Sequence, residues 1–169
     1  MKRLLSILLA LCLLWTVALA ETVDTANIIS WSDYEDAVVE AGWGGGFYEM
    51  SDYDLMFYVP EVLQPVEDEN SAALFMSDDG QYGFMISVDE DSEESLEAQA
   101  ELMQAIGAED LEYDVINGLP GITFTMDGVN YVTFLTESGE TVTFLAMGDD
   151  EAFTAVFTVI VASIQTISE

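Results

Sequence analysis

Basic side chains are nearly missing from this sequence of 169 residues, which has 2 Lys and Arg, 0 His and 33 Asp and Glu. The two basic residues are Lys2 and Arg3, and the one cysteine is Cys12. After residue 12 the chain therefore has no side-chain cation, imidazole or thiol. This composition excludes Ser-His-Asp and Cys-His catalysis, lysine Schiff-base chemistry, and zinc sites built from His and Cys.

Phosphate-bearing partners are disfavoured by the same absence, because nucleic acids and anionic lipid surfaces are bound through Lys and Arg. The glycines Gly42 and 44–46 have neither the preceding strand nor the following lysine of a phosphate-binding loop. We therefore expect no nucleic-acid partner and no cofactor. The sequence indicates no catalytic, cofactor-binding or metal-binding residue.

The first 20 residues have the features of a secretory signal peptide. A short basic start precedes the apolar run 4–17, and Ala18 and Ala20 occupy the −3 and −1 positions of a cleavage site before Glu21. The run is short for a membrane-spanning helix, which needs about 20 residues. Cys12 lies within the run, so we interpret it as part of the leader. We expect a secreted, extracellular protein that is not attached to a membrane after cleavage.

The acidity of the remaining chain does not indicate disorder. Disordered segments combine high net charge with few apolar residues, whereas this sequence is 51% hydrophobic and 11% aromatic. We expect residues 21–30 to form a loose lead-in and residues 31–169 to form a single acidic domain.

Two helices are predicted before residue 110. Ser32 and Glu35 have the spacing of a capping box, so a helix is expected from Ser32 to residue 41, ended by Gly42. The second helix is ended by Gly107. Its apolar residues share one face at helical spacing. They are Leu96, Ala100, Met103 and Ile106.

A third helix is predicted over the uncharged segment 152–167, where apolar residues form one stripe. The stripe consists of Phe153, Val156, Phe157, Ile160, Val161, Ile164 and Ile167. A membrane anchor is the alternative interpretation. A helix of this length spans about 24 Å, which is less than a hydrocarbon core of about 30 Å. We therefore expect a buried helix.

Strands are predicted between these helices. They cover 47–50, 54–59, 72–76, 81–88, 111–116, 122–126, 129–136 and 141–147, with turns at 51–52, 78–80, 117–121, 127–128 and 137–140 and a polar connection at 61–70. Strands 55–59 and 129–135 are apolar on both faces, which indicates a sheet covered on both sides. The expected fold is α+β, a layered α/β/α sandwich with a largely antiparallel sheet of about seven to eight strands and three helices.

The order of these elements resembles the PsbP-like sandwich superfamily over residues 46–167. The resemblance rests on the hairpin 75–88, the helix 92–106, the Ile116-Asn117-Gly118 turn, the three-stranded meander and the closing helix. The superfamily includes photosystem accessory proteins, Ran-binding proteins and many small exported bacterial proteins of unknown role. The resemblance implies a non-enzymatic accessory or binding role and carries no ligand signature.

Two alternatives use carboxylates alone. A glycosidase-like hydrolase needs two carboxyl groups about 5–10 Å apart across a cleft. Aromatic residues near the amino end could line such a cleft or could pack the first helix onto the sheet. They are Trp31, Trp43, Tyr48 and Tyr53.

Weak association with calcium or magnesium is the other alternative. Asp89, Asp91 and Glu93 resemble the start of a calcium loop, but Glu94 stands at the glycine position and Ala100 where a bidentate glutamate belongs. The acidic segments 78–79 and 149–151 are shorter still. The leading hypothesis is a secreted, non-catalytic binding or accessory domain for an unidentified protein or surface partner.

Overall fold

The computed structural model describes residues 27–89, 95–136, 139–148 and 151–167. These residues form two β-sheets and three α-helices, together with 3₁₀ helices at Trp31–Asp33 and Ser51–Tyr53. In chain order the elements are β1 (Asn27–Ile29), α1 (Glu35–Ala41), β2 (Gly45–Met50), β3 (Leu55–Pro60), β4 (Leu63–Val66), β5 (Ala73–Ser77), β6 (Gly83–Asp89), α2 (Leu96–Ala105), β7 (Glu109–Ile116), β8 (Leu119–Met126), β9 (Val129–Leu135), β10 (Thr141–Met147), α3 (Glu151–Ala162) and β11 (Gln165–Thr166). The predicted α+β class is confirmed.

The larger sheet has eight strands in the order β1-β7-β8-β9-β10-β6-β5-β4. Its neighbouring strands are antiparallel except for β1, which lies parallel to β7. The largely antiparallel sheet is therefore confirmed. The hairpin of β2 and β3 was expected in the same sheet, but it forms a second sheet with the order β11-β3-β2.

The hairpin between β8 and β9 follows directly from its turn residues. Asp127 and Gly128 have φ angles of 53° and 79°, and Met126 pairs with Val129. Positive φ at both central residues is what a two-residue type I′ turn requires. The Asp-Gly signal therefore predicted this turn correctly.

The main core lies between the smaller sheet, α3 and one face of the larger sheet. Aromatic side chains dominate it: Phe57, Phe84 and Phe144 are fully buried, with ring centroids 5.8 Å apart for Phe57–Phe84 and 5.2 Å apart for Phe57–Phe144. A smaller cluster lies on the other face, where α2 packs against Ile122 and Phe124. The larger sheet is thus covered on both faces, as strand 129–135 (β9) predicted, whereas strand 55–59 is β3 of the smaller sheet.

The third helix is shorter than predicted. It ends at Ala162, and the chain then pairs with β3 as the short strand β11. Ser163 explains the end of the helix, because its hydroxyl donates to the carbonyl oxygen of Ile160 (2.6 Å) and accepts from the amide of Tyr58 (2.7 Å). No helix in the described ranges is long and apolar enough to span a membrane.

The predicted capping box at Ser32 is wrong. The α-helix starts only at Glu35, and the capping position is Tyr34, whose side chain makes no capping bond. Ser32 belongs instead to a 3₁₀ turn, and its hydroxyl lies 2.9 Å from that of Ser30. The amide of Trp31 donates to the side chain of Asn117 (2.7 Å), so a long-range contact holds this turn in place.

Three segments expected to lack regular structure contain strands. Residues 27–29 of the expected lead-in form β1, because they gain a partner in β7. The polar connection 61–70 contains β4, whose Pro65 is tolerated at the edge of the sheet. The expected turn 117–121 is only two residues long, and β8 begins at Leu119. Ile106 was expected on the apolar face of the second helix, but it directly follows α2 and is 56% exposed.

Candidate functional site

An open groove of about 420 Å³ lies between α3 and the β1-β7-β8-β9 end of the larger sheet. We call it the β7 groove. One wall is polar and consists of Asn27, Asp110, Glu112, Asp114 and Thr123. The opposite wall is formed by Phe157 and Val161 of α3, with Thr154 and Thr158 at its edge, while Ile29 of β1 and Val132 of β9 add apolar surface from the sheet.

Strand register explains why the polar side chains share one wall. Glu112 and Asp114 are two residues apart on β7, so both point to the same face of the sheet. Asn27 pairs with Asp114 across the parallel strands, and Thr123 pairs with Glu112 across the antiparallel strands. Directly paired residues lie side by side on one face. The four side chains therefore meet above β7.

Asn27 and Thr123 hold the two carboxylates of the polar wall. The Nδ2 atom of Asn27 donates to Oε2 of Glu112 at 2.9 Å and to Oδ1 of Asp114 at 3.1 Å. The hydroxyl of Thr123 donates to Oδ2 of Asp114 at 2.7 Å. Asp114 is only 4% exposed, whereas Glu112 is exposed. A buried carboxylate is costly unless it is hydrogen-bonded, and these donors reduce that cost.

A β-bulge lies at one end of the polar wall. The register between β7 and β8 shifts between Glu109 and Glu112, and Asp110 in the bulge has a φ of 51°. Aspartate is among the non-glycine residues that adopt this left-handed conformation most readily. Bulges are frequent beside functional sites because they re-aim side chains. Here the bulge adds the exposed Asp110 to the lining of the groove.

The apolar wall is built from α3. Phe157 and Val161 are 4% and 7% exposed, and Val132 of β9 is 4% exposed. Thr158 is exposed at the rim, where its hydroxyl donates to the carbonyl oxygen of Thr154 at 2.9 Å. The groove can therefore hold an apolar stem against α3 while a hydrogen-bond donor faces the carboxylates of β7.

Known proteins were compared with both the sequence and the fold. No protein-family model and no curated protein matches the sequence. A solution structure of cyanobacterial PsbP (CyanoP) from Synechocystis is similar, with a TM-score of 0.56 and 11% sequence identity over 73% of this chain and 92% of that chain. The fold is PsbP-like. This confirms the resemblance predicted from the order of elements.

A second solved structure, of a protein from Bacteroides thetaiotaomicron, has a TM-score of 0.45 and 18% sequence identity. The match covers 74% of this chain and 49% of that chain, so the chain spans about half the length of that protein. At these identities the comparisons concern the fold and not the site.

Asn117 ties both walls of the groove together in this PsbP-like fold. Its Nδ2 atom donates to the carbonyl oxygens of Ala162 and Ile164, each at 2.8 Å, at the end of α3. Its amide donates to the carbonyl oxygen of Ile29 in β1 at 2.9 Å, and its Oδ1 atom accepts from the amide of Trp31. Asn117 has a φ of 48°. Its side-chain amide lies between Trp31 and the end of α3 and bonds to both. The Ile-Asn-Gly turn was noted in the sequence, but its contacts are all long-range.

Only part of the predicted acidic segments lies among the described residues, namely 78–79, Asp89 and Glu151. Residues 90–94 and 149–150 lie outside the described residues, and in the described ranges no group of three or more His, Cys, Asp or Glu could hold a metal. Asp79 stabilises its own turn, accepting from the hydroxyl of Ser77 (2.7 Å) and the amide of Gln81 (3.1 Å). These bonds, the Ser77 bond foremost, lower the pKa of Asp79.

The aromatic residues proposed for a sugar cleft lie in different places. Trp31 stacks on Tyr58, and Tyr48 packs against Phe57 of the smaller sheet and Phe75 of the larger sheet. The remaining two, Trp43 and Tyr53, pack against the main core. These contacts agree with the packing interpretation rather than with a cleft.

The sequence interpretation singled out none of the carboxylates of the β7 groove. A signal was present, because Glu112 and Asp114 alternate along the predicted strand 111–116 and should share one face, and Asp110 directly precedes that strand in the same alternation. Such alternation also describes an exposed strand face, so it did not distinguish these residues from the other acids. Asn27 carried no signal, since its position depends on the pairing of β1 with a strand about 85 residues later.

Proposed function

We propose that this protein is an exported, non-catalytic accessory domain that binds a basic segment of a partner protein through the β7 groove. The observation that carries the proposal is the position of Asp114, a carboxylate 4% exposed, beside exposed Glu112 and opposite an apolar wall. An amphipathic cation, such as the ammonium group and aliphatic stem of lysine, matches both walls.

Charge is the first step of the argument. The sequence has no Lys, Arg or His after Arg3, so the described residues offer no side-chain cation to Glu112 or Asp114. Asp114 accepts two hydrogen bonds from the chain, while a carboxylate has about four acceptor sites. An incoming ammonium or guanidinium group would therefore add charge-assisted hydrogen bonds that the chain cannot make by itself.

The fold supports the non-catalytic part of the proposal by analogy. The superfamily that the chain resembles includes accessory proteins, although a shared fold is a weak guide to function. The composition agrees, because Ser-His-Asp, Cys-His and lysine Schiff-base catalysis need residue types that the chain lacks after residue 12.

The groove is tested by calorimetric titration of the protein with trilysine amide. The double substitution Asp110→Asn and Glu112→Gln removes two groove charges without changing side-chain size. The matched control, Glu97→Gln and Glu101→Gln, removes two charges near α2. We expect the groove variant to lose about tenfold in affinity, since charge-assisted hydrogen bonds contribute about 1.5–3 kcal/mol, and the control to lose about twofold or less. Equal losses would mean diffuse attraction and would reject the groove.

Export is tested separately by amino-terminal sequencing of protein from the culture medium of a secreting host. The proposal expects a chain that begins at Glu21, after the Ala18-Leu19-Ala20 site. Protein retained in cells with Met1 intact, or lipidated at Cys12, would contradict export without affecting the groove.

A carboxylate-only hydrolase is the second candidate, because Glu112 and Asp114 share the amide of Asn27 and so form a close pair. The pair lies on one wall, whereas glycosidase carboxylates flank the scissile bond from two sides. Hydrolysis of aryl glycosides that disappears in Glu112→Gln would support this candidate over the binding role.

A further inference from the structure

An exposed strand edge forms the rim of the smaller sheet. Strand β2 pairs with β3 on one side and with no other strand of the described chain. Residues 45–49 are all exposed, and the pairing runs from Gly45–Pro60 to Met50–Leu55 without a shift in register. A terminal strand of this kind presents backbone N–H and C=O groups that can pair with another chain.

Strand β2 lacks two of the features that commonly block such an edge, a proline and a bulge, although Glu49 places one charge on it. Soluble proteins protect edge strands with lysine, proline, bulges or covering segments. For comparison, β4, a terminal strand of the larger sheet, contains Pro65. Strand β2 contains neither proline nor lysine, and its pairing with β3 shows no bulge. Its backbone is therefore the more suitable of the two for strand addition.

An aromatic platform lies beside this edge on the outer face of the smaller sheet. Trp31 stacks on Tyr58 with centroids 5.7 Å apart, and Phe47 packs edge-on against both rings at 5.9 Å. Phe47 is 41% exposed, so one ring of the platform faces solvent. Exposed aromatic faces attract guanidinium and ammonium groups by cation–π interaction.

We propose that β2 binds an extended, arginine- or lysine-bearing segment of a partner protein by β-strand addition. Main-chain hydrogen bonds to β2 supply affinity, and side chains on the outer face of the added strand lie against Phe47. Exposed Glu49 within β2, and exposed Glu61, whose amide donates to the carbonyl oxygen of Gly44 just before β2, favour a basic segment. A second copy of this chain is disfavoured as the occupant, because it would bring 33 further carboxylates to the edge.

This inference goes beyond the β7 groove, since it depends on the backbone and side chains of the other sheet. The probe is a peptide of alternating arginine and valine, about seven residues long to match a typical strand. A second peptide keeps the arginines but has consecutive prolines in place of the valines, so it keeps the charges, lacks N–H donors on both edges of the strand and cannot form a continuous β-ladder. Affinities are measured by fluorescence anisotropy at physiological salt, and amide exchange reports which strand is protected.

We expect the valine peptide to bind at least about tenfold more tightly than the proline peptide, because several backbone hydrogen bonds are lost. The amides of β2 should become protected. Equal affinities, or protection confined to other strands, would overturn strand addition. Sedimentation that shows a dimer joined at β2 would also overturn it, because the occupant would then be a second copy.

Two substitutions test the side-chain part. Phe47→Ala should weaken the valine peptide by about two- to fivefold, the range expected for exposed cation–π contacts. Glu49→Lys should weaken it further, whereas Glu101→Lys in α2, which changes net charge equally, should have a smaller effect. The groove variant Asp110→Asn/Glu112→Gln removes two charges of the β7 groove but should leave the peptide-induced protection of the β2 amides unchanged, so failure of one proposal is distinguishable from failure of the other. Equal effects of the two lysine substitutions would overturn the role of Glu49, and an unchanged affinity of Phe47→Ala would overturn the role of the platform.

Discussion

The two faces of the eight-stranded sheet are covered in different ways. On one face α3 and the smaller sheet bury large side chains, including Phe57, Phe84 and Ile160, each 0% exposed. On the other face α2 buries only Ala100, while Leu102 remains 48% exposed. Most of the buried apolar area therefore lies on the α3 face, which also forms the wall of the β7 groove.

This difference explains how a chain without cations can fold and still present carboxylates to a ligand. Stability comes mainly from apolar burial on the α3 face, because no side-chain ion pair is possible among residues 27–167. The Asp114 carboxylate is stabilised within this face by Thr123 and Asn27. On the α2 face Glu97 and Glu101 add charge near Tyr113 and contribute little to packing.

The largest difference in the free energy of unfolding should appear between two single variants, each of which truncates a helix side chain on one face of the larger sheet. We expect Ile160→Ala to lower the free energy of unfolding by about 2–5 kcal/mol, because it leaves a cavity in the main core. Leu102→Ala should lower it by about 0.5 kcal/mol or less, as for other exposed positions. Urea denaturation of the two variants measures both. Similar losses would show that the two faces contribute equally.

Asn117 should be the most sensitive polar residue of the α3 face. Asn117→Asp keeps the size of the side chain but places a carboxylate against the carbonyl oxygens of Ala162 and Ile164, which lose their donors. The expected loss is about 2–3 kcal/mol, typical of unsatisfied buried polar groups. Asn117→Gly tolerates the positive φ and lets water reach the carbonyls, so its loss should be smaller. A variant Asn117→Asp as stable as the wild type in urea would contradict the role of these bonds.

Salt should stabilise the whole fold by a smaller amount. Folding brings negative side chains together with no opposing side-chain cation, and about 0.15 M salt shortens the screening length to about 8 Å. We expect a gain of about 1 kcal/mol, or about 2–4 °C in melting temperature. Calcium and magnesium should raise it more per mole, because a divalent ion can bridge neighbouring carboxylates. A melting temperature that does not change with any salt would show that repulsion is negligible.

Alkaline pH should change the free energy of unfolding less than the other treatments. It should also distinguish Tyr113, near the charges of α2, from Tyr58 in the smaller sheet. Burial, and then the charges of Glu97 and Glu101, raise the pKa of Tyr113, while burial and then Glu61 raise the pKa of Tyr58. A raised folded-state pKa means that unfolding releases protons once the pH exceeds the ordinary value of 10.0, so stability falls above that pH.

Nuclear magnetic resonance of the tyrosine ring carbons during alkaline titration measures the pKa of Tyr113 and of Tyr58 separately, although the chain has 7 tyrosines. The substitutions Glu97→Gln and Glu101→Gln should lower the pKa of Tyr113 and leave that of Tyr58 unchanged. A pKa of Tyr113 that does not respond would contradict the proximity of these charges to the α2 face.

Local patterns predicted most of the fold. The Asp127-Gly128 turn and the strand 141–147 were predicted as the structure has them, since turn chemistry and apolar periodicity are properties of adjacent residues. The errors involve contacts between distant residues. Strand β1 exists because β7 pairs with it, and α3 ends early because Ser163 bonds to Tyr58. The groove was missed for the same reason, because Asn27, Glu112 and α3 meet only after folding.

The most direct test of the account is a nuclear magnetic resonance titration of labelled protein with trilysine amide. If the β7 groove binds the basic group, chemical-shift changes should concentrate at Glu112, Asp114, Thr123 and Thr158, on both walls of the groove. Residues of the α2 face, such as Glu101, should change little. Equal changes on both faces of the sheet, in proportion to local negative charge, would show diffuse attraction and contradict the proposed binding site.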